Sequence, residues 1–251
     1  MAYKKTWKKS SVKYFSIFGI IALVAIIGFS TVACNNDTDD SSGVNSDPTT
    51  PTDPTDPSYF LFDSRSGTIT NYSDSGPKNV VIPSSINGIA VTSIGFAFQL
   101  KGLISVVIPN SVTSIGGSAF QGNSLTTVVI PDSVTSIGDR AFHNNPLTSL
   151  IIGNSVISIG DRAFASIYYN GKIQGKLTSV VIPNSVTSIG AQAFFAQPLI
   201  SVTIGANVAI KTGNADGSFG NNGFETAYND GGKLAGTYTK PDADRLMWTR
   251  Q

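Results

Sequence analysis

Cysteine, histidine and glutamate each occur once in this chain of 251 residues, as Cys34, His143 and Glu225. A single cysteine excludes an internal disulfide, so the folded part must be held together by its core. With one histidine and one glutamate, the sequence offers neither a cluster of metal ligands nor a nucleophile paired with a base. We therefore predict a protein that is not an enzyme, binds no metal and requires no cofactor.

Charged residues are also few, at 13% of the chain, and they are unevenly placed. The formal net charge of +1 includes five lysines within the first 13 residues. Taking those five from the 17 basic residues leaves 12, against 16 acidic residues. A chain that is mildly acidic beyond its N-terminus presents no basic stripe to a phosphate backbone, which excludes nucleic acid as a partner.

The N-terminus predicts export. An apolar run from Phe15 to Ala33 follows the lysines, an order typical of a secretion signal. Residues 30–34 resemble a bacterial lipobox, whose cysteine is acylated and becomes the new N-terminus. An uncleaved transmembrane anchor and a signal cut without lipidation are the alternatives. We predict a signal peptide over residues 1–33, lipidation of Cys34, and an exported protein that is lipid-anchored to the bacterial membrane and exposed at the cell surface.

Residues 34–57, the cysteine and the segment rich in Pro, Thr and Asp that follows it, predict a tether. It contains one aliphatic residue, Val44, and ends in prolines three residues apart, which favour an extended polyproline II conformation. At ~3.1 Å per residue it could reach roughly 70 Å. Residues 58–78 then contain two aromatic and β-branched runs separated by Ser-Arg-Ser-Gly, which predicts a hairpin-type N-terminal cap.

The sequence L-T-T-V-V-I-P-D-S-V-T-S-I-G-D-R-A-F-H-N-N-P recurs along the chain with small changes, at a spacing of 22 residues in three copies and 30 in one. It occupies residues 125–146, with close copies at 103–124, 147–176 and 177–198 and degenerate copies at 79–102 and 199–223. Repeats of this length predict a stacked solenoid, because no unit buries its apolar face alone.

Each full copy opens with Leu-x-x-Val-x-Ile, the spacing of a leucine-rich-repeat strand, and continues towards Ser-Ile-Gly-x-x-Ala-Phe. Over residues 59–251 this pattern closely resembles the BspA-type leucine-rich repeat family of bacterial surface proteins. The resemblance implies a curved solenoid, surface display and, in some members, attachment to host matrix proteins or to other cells.

We predict a mainly β leucine-rich-repeat solenoid over residues 79–223, with a C-terminal cap over residues 224–251. Each repeat is expected to supply one strand, a second extended segment and a short helical turn. In the strand, alternation points Val128 and Ile130 inward and Val129 outward. Gly138 permits a bend, and Asp139 is expected to cap a helical turn formed by the next three residues.

A column of small polar residues recurs where leucine-rich repeats usually carry an inward Asn or Cys. We predict that these side chains satisfy buried backbone groups at the bend. The column consists of Ser85, Ser111, Ser133, Ser155, Ser185 and Asn207.

A second column contains the outward positions of the predicted strands, which we expect on a concave sheet. It reflects either β propensity alone or a contact surface, since contiguous exposed apolar patches mark interaction sites. The candidate binding residues are Val107, Val129, Ile151 and Val181, and the column ends at Val81 and Thr203.

The segment between Phe164 and Leu177 is eight residues longer than the equivalent segment of the preceding repeat. The Asn170-Gly171 pair within it predicts a β-hairpin. Insertions in a solenoid form loops where specificity can lie, and a tolerated decoration is the alternative. The candidate recognition residues are Tyr168, Tyr169, Lys172 and Ile173.

The last repeat carries an incomplete calcium-loop spacing. Phe219 occupies the position that requires glycine, so we predict no calcium site. The spaced residues are Asn214, Asp216, Ser218 and Glu225.

These observations predict an adhesin-like, protein-binding surface module. Its partner would be a host matrix or cell-surface protein, and the module would be a monomer. The alternative is a structural or self-associating envelope protein without a dedicated ligand, which would form concentration-dependent oligomers.

Overall fold

The computed structural model describes residues 53–170, 172–211, 218–219, 223–241 and 247–251. The predicted signal peptide, Cys34 and most of the predicted tether lie outside these residues. Within the described part of the chain, no helix is long and apolar enough to span a bilayer.

The regular secondary structure of the described chain consists almost entirely of short strands, which turns connect. A 3-10 turn at Pro57–Tyr59 precedes them, and one helix, α1 (Phe224–Asp230), lies between the last coil and the final two strands. The strands are β1 (Phe60–Asp63), β2 (Thr68–Tyr72), β3 (Asn79–Val81), β4 (Ser85–Ile86), β5 (Ile89–Ala90), β6 (Ser93–Ile94), β7 (Ser105–Val107), β8 (Ser114–Ile115), β9 (Thr127–Val129), β10 (Ser136–Ile137), β11 (Ser149–Ile151), β12 (Ser158–Ile159), β13 (Tyr168–Tyr169), β14 (Lys172–Ile173), β15 (Ser179–Val181), β16 (Ser188–Ile189), β17 (Ser201–Ile204), β18 (Ala209–Ile210), β19 (Gly236–Thr239) and β20 (Thr249–Arg250).

Each coil contributes two strands to the stack. The first strands form parallel pairs β3–β7, β9–β11 and β15–β17. The second strands, mostly Ser-Ile dipeptides, extend the antiparallel hairpin β1–β2 into one sheet, here called the Ser-Ile sheet, with the order β1-β2-β6-β8-β10-β12-β16-β18. Successive coils pair in register, with Ser136 opposite Ser158 and Ile137 opposite Ile159. Equivalent positions therefore stack in columns, and the predicted solenoid of about 22-residue coils is confirmed.

A stack of phenylalanine rings runs through the coils. Neighbouring ring centroids lie 5.0 to 5.5 Å apart, with interplanar angles of 5 to 18°. Each ring is almost fully buried by the rings on either side of it, so a coil completes its core only when its neighbours are in place. The stack consists of Phe98, Phe120, Phe142, Phe164, Phe194 and Phe219.

A column of buried amide side chains joins adjacent coils. Asn145 Oδ1 accepts the Leu125 N–H (3.2 Å), and its Nδ2 donates to Phe120 O (2.9 Å) and to Phe142 O (3.0 Å). Asn123 makes the same three bonds one coil earlier, and Gln197 makes two of them later in the stack. The amides thus satisfy backbone groups that the coil turns would otherwise leave unpaired in the core.

The amide column takes most of the role that we predicted for the serine column. Ser133 and Ser185 do donate to carbonyls of the preceding coil, Val112 O (2.6 Å) and Val156 O (2.7 Å). The prediction is wrong at the other four positions. Ser111 Oγ is buried but has no hydrogen-bond partner in the described chain. The side chains of the remaining three are exposed: Ser85, Ser155 and Asn207.

The turn after each Ser-Ile strand is not helical, so the predicted short helical turn is wrong. Ala141 N–H closes a tight turn on Gly138 O (3.3 Å), and Arg140 adopts a φ of 57°. Arg140 N–H donates instead to Asp161 O of the next coil (2.8 Å), as Phe142 N–H donates to Ala163 O (2.8 Å). These backbone N–H groups therefore donate to carbonyls of the next coil, and they are not available for the hydrogen bonds of a helical turn.

The helix α1 adds buried aromatic side chains, Phe224 and Tyr228, at the end of the stack. In its first turn, Glu225 Oε1 accepts the Phe219 N–H (2.6 Å). Burial raises the pKa of Glu225, while the N–H groups of Phe219 and Ser218 oppose that rise. The half-buried Glu225 carboxylate therefore fixes the backbone of Phe219, the last phenylalanine of the stack, through this hydrogen bond.

We expect Glu225→Gln to remove a pH dependence of stability. Because the folded pKa lies above the ordinary 4.5, the folded chain keeps a proton that the unfolded chain releases. The free energy of unfolding of the wild type should therefore fall as the pH rises from 4.5 to the folded pKa, and the variant should lack this fall. Thermal unfolding as a function of pH measures the difference. Asp230→Asn, exposed on the same helix, is the control, and superimposable wild-type and Glu225→Gln curves would contradict the expectation.

Candidate interaction surface

The outward aliphatic residues of four successive first strands form an exposed row, here called the ladder. Their exposed fractions are 47% for Val107, 51% for Val129, 42% for Ile151 and 61% for Val181. In β9, the neighbouring Val128 is buried. The alternation follows the pleat of the strand and confirms the predicted facing in this strand.

The ladder is shorter than the predicted column. Val81 is buried, because Thr55 N–H donates to Val81 O (2.9 Å) and Thr55 Oγ1 accepts the Val81 N–H (3.0 Å). The prediction of an exposed Val81 is therefore wrong. At the other end, Thr203 lies opposite Thr237 of β19, with their hydroxyls 2.8 Å apart. Chain segments from outside the repeats cover both ends.

A groove of about 650 Å³ lies along the Ser-Ile sheet. The stacked Ser-Ile strands line the groove, together with a column of glycines whose missing side chains leave its floor open. The glycine column consists of Gly116, Gly138, Gly160 and Gly190.

A second groove, of about 660 Å³, follows the tight turns. Asp161 lies in its wall, where Oδ1 accepts the Ala191 N–H (2.8 Å) and Oδ2 lies 3.0 Å from Lys211 Nζ. The hydrogen bond from Lys211 is the main cause that holds the pKa of Asp161 below its ordinary value. Equivalent turn positions along this groove hold Ser118, Arg140, Arg162 and Gln192.

The insertion forms the predicted hairpin. β13 and β14 pair antiparallel, with Tyr169 opposite Lys172 and Tyr168 opposite Ile173. Asn170 has the positive φ (50°) that such a turn favours. Gln174 N–H donates to Ile167 O (3.0 Å), which closes the base of the hairpin, and Lys172 is exposed.

His143 and Ser218, whose side chains could in principle act in catalysis or bind a metal, contact backbone carbonyls of neighbouring segments. His143 Nδ1 lies 3.0 Å from Ala165 O, and burial lowers the pKa of His143. Of the incomplete calcium spacing, Ser218 Oγ donates to Lys211 O (2.7 Å), while Asn214 and Asp216 lie outside the described residues. In the described ranges, no group of three or more His, Cys, Asp or Glu side chains could hold a metal ion.

The sequence reasoning missed the amide column and the two arginines in the second groove. A signal for the amides was present, because Asn123, Asn145 and Gln197 each lie three residues after the Ala-Phe of their repeat. The arginines occur in only two repeats, so they do not form a recurring position that the sequence alone would reveal.

A stack of about 22-residue coils, each with a Leu-x-x-Val-x-Ile strand, defines a leucine-rich-repeat solenoid, a fold that typically serves as a scaffold. Residues 92–221 match the BspA type leucine rich repeat region in six copies. The chain belongs to the BspA-type leucine-rich repeat family.

Three similar solved structures are bacterial leucine-rich repeat proteins. One from T. pallidum is 30% identical, with 57% of this chain and 67% of that chain covered and a TM-score of 0.48. One from Bacteroides capillosus is 30% identical, with coverages of 49% and 74% and a TM-score of 0.32. A leucine rich cell surface protein from Faecalibacterium prausnitzii is 24% identical, with coverages of 64% and 56% and a TM-score of 0.29. No curated protein matches the chain.

Proposed function

We propose that this chain is an exported surface protein, anchored through an acyl chain on Cys34, that binds a host matrix or cell-surface protein through the ladder. Membership of a leucine-rich-repeat family supports an interaction or structural module. The apolar run before Cys34 supports export. The observation that carries the binding proposal is the row of four exposed aliphatic side chains on consecutive first strands.

The ladder has the properties of a contact surface. Val129 and Ile151 lie opposite each other in the pair β9–β11, at the strand spacing of ~4.8 Å, and β7 and β15 contact this pair on its two sides. The four side chains therefore form one apolar strip rather than isolated exposed residues. The sheet already orders these side chains, so little conformational entropy is lost when a partner covers them. Hydroxyl-bearing residues flank the strip and supply a polar rim, which is formed by Ser105, Thr127, Ser149 and Ser179.

We expect Val129→Asp to abolish partner binding while the fold is kept. Val129 is 51% exposed, so its replacement should change the free energy of unfolding by less than about 1 kcal/mol. Val128→Asp is the matched control, since the same change at a buried neighbour places a charge in the core and should unfold the chain. Equal loss of thermal stability in the two variants would show that the ladder is not a free surface.

The binding test is a solid-phase assay of the protein against a panel of host matrix proteins and cell surfaces. Saturable binding that Val129→Asp removes supports the ladder, and binding lost on deletion of residues 167–174 moves the site to the hairpin. Sedimentation over a range of concentrations addresses the alternative. Concentration-dependent oligomers without capture of any surface would indicate the self-associating envelope protein.

The anchor has a separate test. Metabolic labelling with a radioactive fatty acid should mark the wild type and not Cys34→Ser. Equal labelling of the two proteins, or no labelling of the wild type, would contradict lipidation at this residue.

A further inference from the structure

Two arginines occupy strained backbone positions on consecutive coils. Arg140 and Arg162 have φ values of 57° and 56°, at the third position of a tight turn where glycine or asparagine is favoured. A left-handed conformation costs a residue with a Cβ about 1–2 kcal/mol. Ser118 and Gln192 adopt the same φ range in the neighbouring coils, so the stack imposes this geometry whatever the residue. Local backbone stability therefore does not explain why arginine is present.

Both arginines are exposed and line the second groove. Their coils are adjacent in the stack, where the Phe142 and Phe164 ring centroids lie 5.5 Å apart. Arg162 Nε donates to Gln192 Oε1 (2.6 Å), which steadies that guanidinium group at the groove. The Arg140 guanidinium group makes no hydrogen bond or ion pair with another residue of the described chain.

The acidic groups of this groove are already bound within its wall. Asp139 Oδ1 accepts the Asp161 N–H (2.8 Å), and Asp161 itself is paired with Lys211. The positive charges of Arg140 and Arg162 both lower the pKa of His143, after the larger effect of burial, so their fields overlap. The lining of the groove therefore carries three positive side chains, Arg140, Arg162 and Lys211, against two negative ones, a net charge of +1.

We propose that this groove binds the anionic groups of a linear polysaccharide, with Arg140 and Arg162 each contacting one carboxylate or sulfate. A guanidinium group binds such planar or tetrahedral anions through paired N–H donors. The two arginines lie on adjacent coils along one groove, so both can contact a single extended chain. None of the described residues that line the groove is aromatic, and an acidic peptide would lack the buried aromatic anchors that usually carry protein interfaces. The site is distinct from the ladder and does not rest on protein binding there.

The test measures binding of the full chain to heparin, which carries sulfate and carboxylate groups, and to hyaluronan, which carries carboxylates alone. Neutral dextran and polyglutamate are the comparison polymers. In Arg140→Gln/Arg162→Gln we expect an affinity about tenfold weaker or worse and a shallower salt dependence. The fold should be kept, because Gln192 already occupies the same turn position. The matched control, Arg65→Gln/Lys233→Gln, removes two exposed positive charges elsewhere and should bind like the wild type.

Heparin binding without hyaluronan binding would assign the site to sulfate, and binding of both would assign it to carboxylate. The inference is overturned if neither polysaccharide binds the wild type, or if both double variants lose affinity equally, since long-range charge alone would then explain binding. It is also overturned if polyglutamate binds more tightly than either polysaccharide, which would make the ligand an acidic polypeptide.

Discussion

Phe142→Ala is expected to lower the free energy of unfolding by about 3–5 kcal/mol, the cost of removing a fully buried phenylalanine. Phe142 lies between Phe120 and Phe164, with ring centroids 5.0 and 5.5 Å away. The change therefore leaves a cavity in the middle of the stack and removes the ring contacts to both neighbouring coils. Because a solenoid is coupled only through neighbours, unfolding should also become less cooperative, with the two halves separating into distinct transitions.

Phe96→Ala is the matched control for this substitution, since Phe96 is 59% exposed at the turn of the first coil. It should shift the free energy of unfolding by less than about 1 kcal/mol. Urea unfolding followed by circular dichroism gives both values, and hydrogen exchange reports whether protection is lost around residue 142 alone or across the stack. A similar loss at both positions would mean that the phenylalanine stack does not couple the coils.

Gly160→Ala is the second change for which we expect a large loss, about 3 kcal/mol or more, because the added methyl group meets backbone rather than a movable side chain. A Cβ at residue 160 would lie 2.5 Å from Asp139 N and 2.6 Å from Gly138 C. Neither atom can move without breaking the register of the coils. The glycine column therefore sets how closely the Ser-Ile strands of neighbouring coils approach.

Gly117→Ala provides the control, because the Cβ there would have its nearest neighbour at an ordinary 3.5 Å, Asp139 O. The equivalent position in a later repeat is already alanine, Ala191. We expect this variant to keep wild-type stability in thermal unfolding. A Gly160→Ala protein as stable as Gly117→Ala would show that the coils can separate at little cost, and the close approach would then not be required.

The ladder and the second groove use different positions of the same repeat. Val129 lies in a first strand, whereas Arg140 lies in the tight turn that follows the Ser-Ile strand. Because side chains stack in independent columns, a substitution in one column leaves the other in place. The protein-binding proposal and the polysaccharide inference can therefore fail or succeed separately.

The sequence alone determined the features that depend on residues close together in the chain. The 22-residue period predicted the coil, and the alternation around Val129 predicted which side chains of that strand face solvent. The Asn170-Gly171 pair predicted the hairpin that β13 and β14 form. Each of these rests on a local pattern of side chains, and stacking in register only repeats that pattern.

The tertiary structure decided the features that depend on backbone groups far apart in sequence. Arg140 is left-handed rather than helical because its N–H donates to Asp161 O in the next coil. Val81 is buried because Thr55 pairs with it from outside the repeats. Asn145 bridges two coils because its amide donates to Phe120 O of the preceding coil and to Phe142 O of its own coil. A local pattern does not show which distant group will satisfy a donor or an acceptor, and that choice follows only once the coils are stacked.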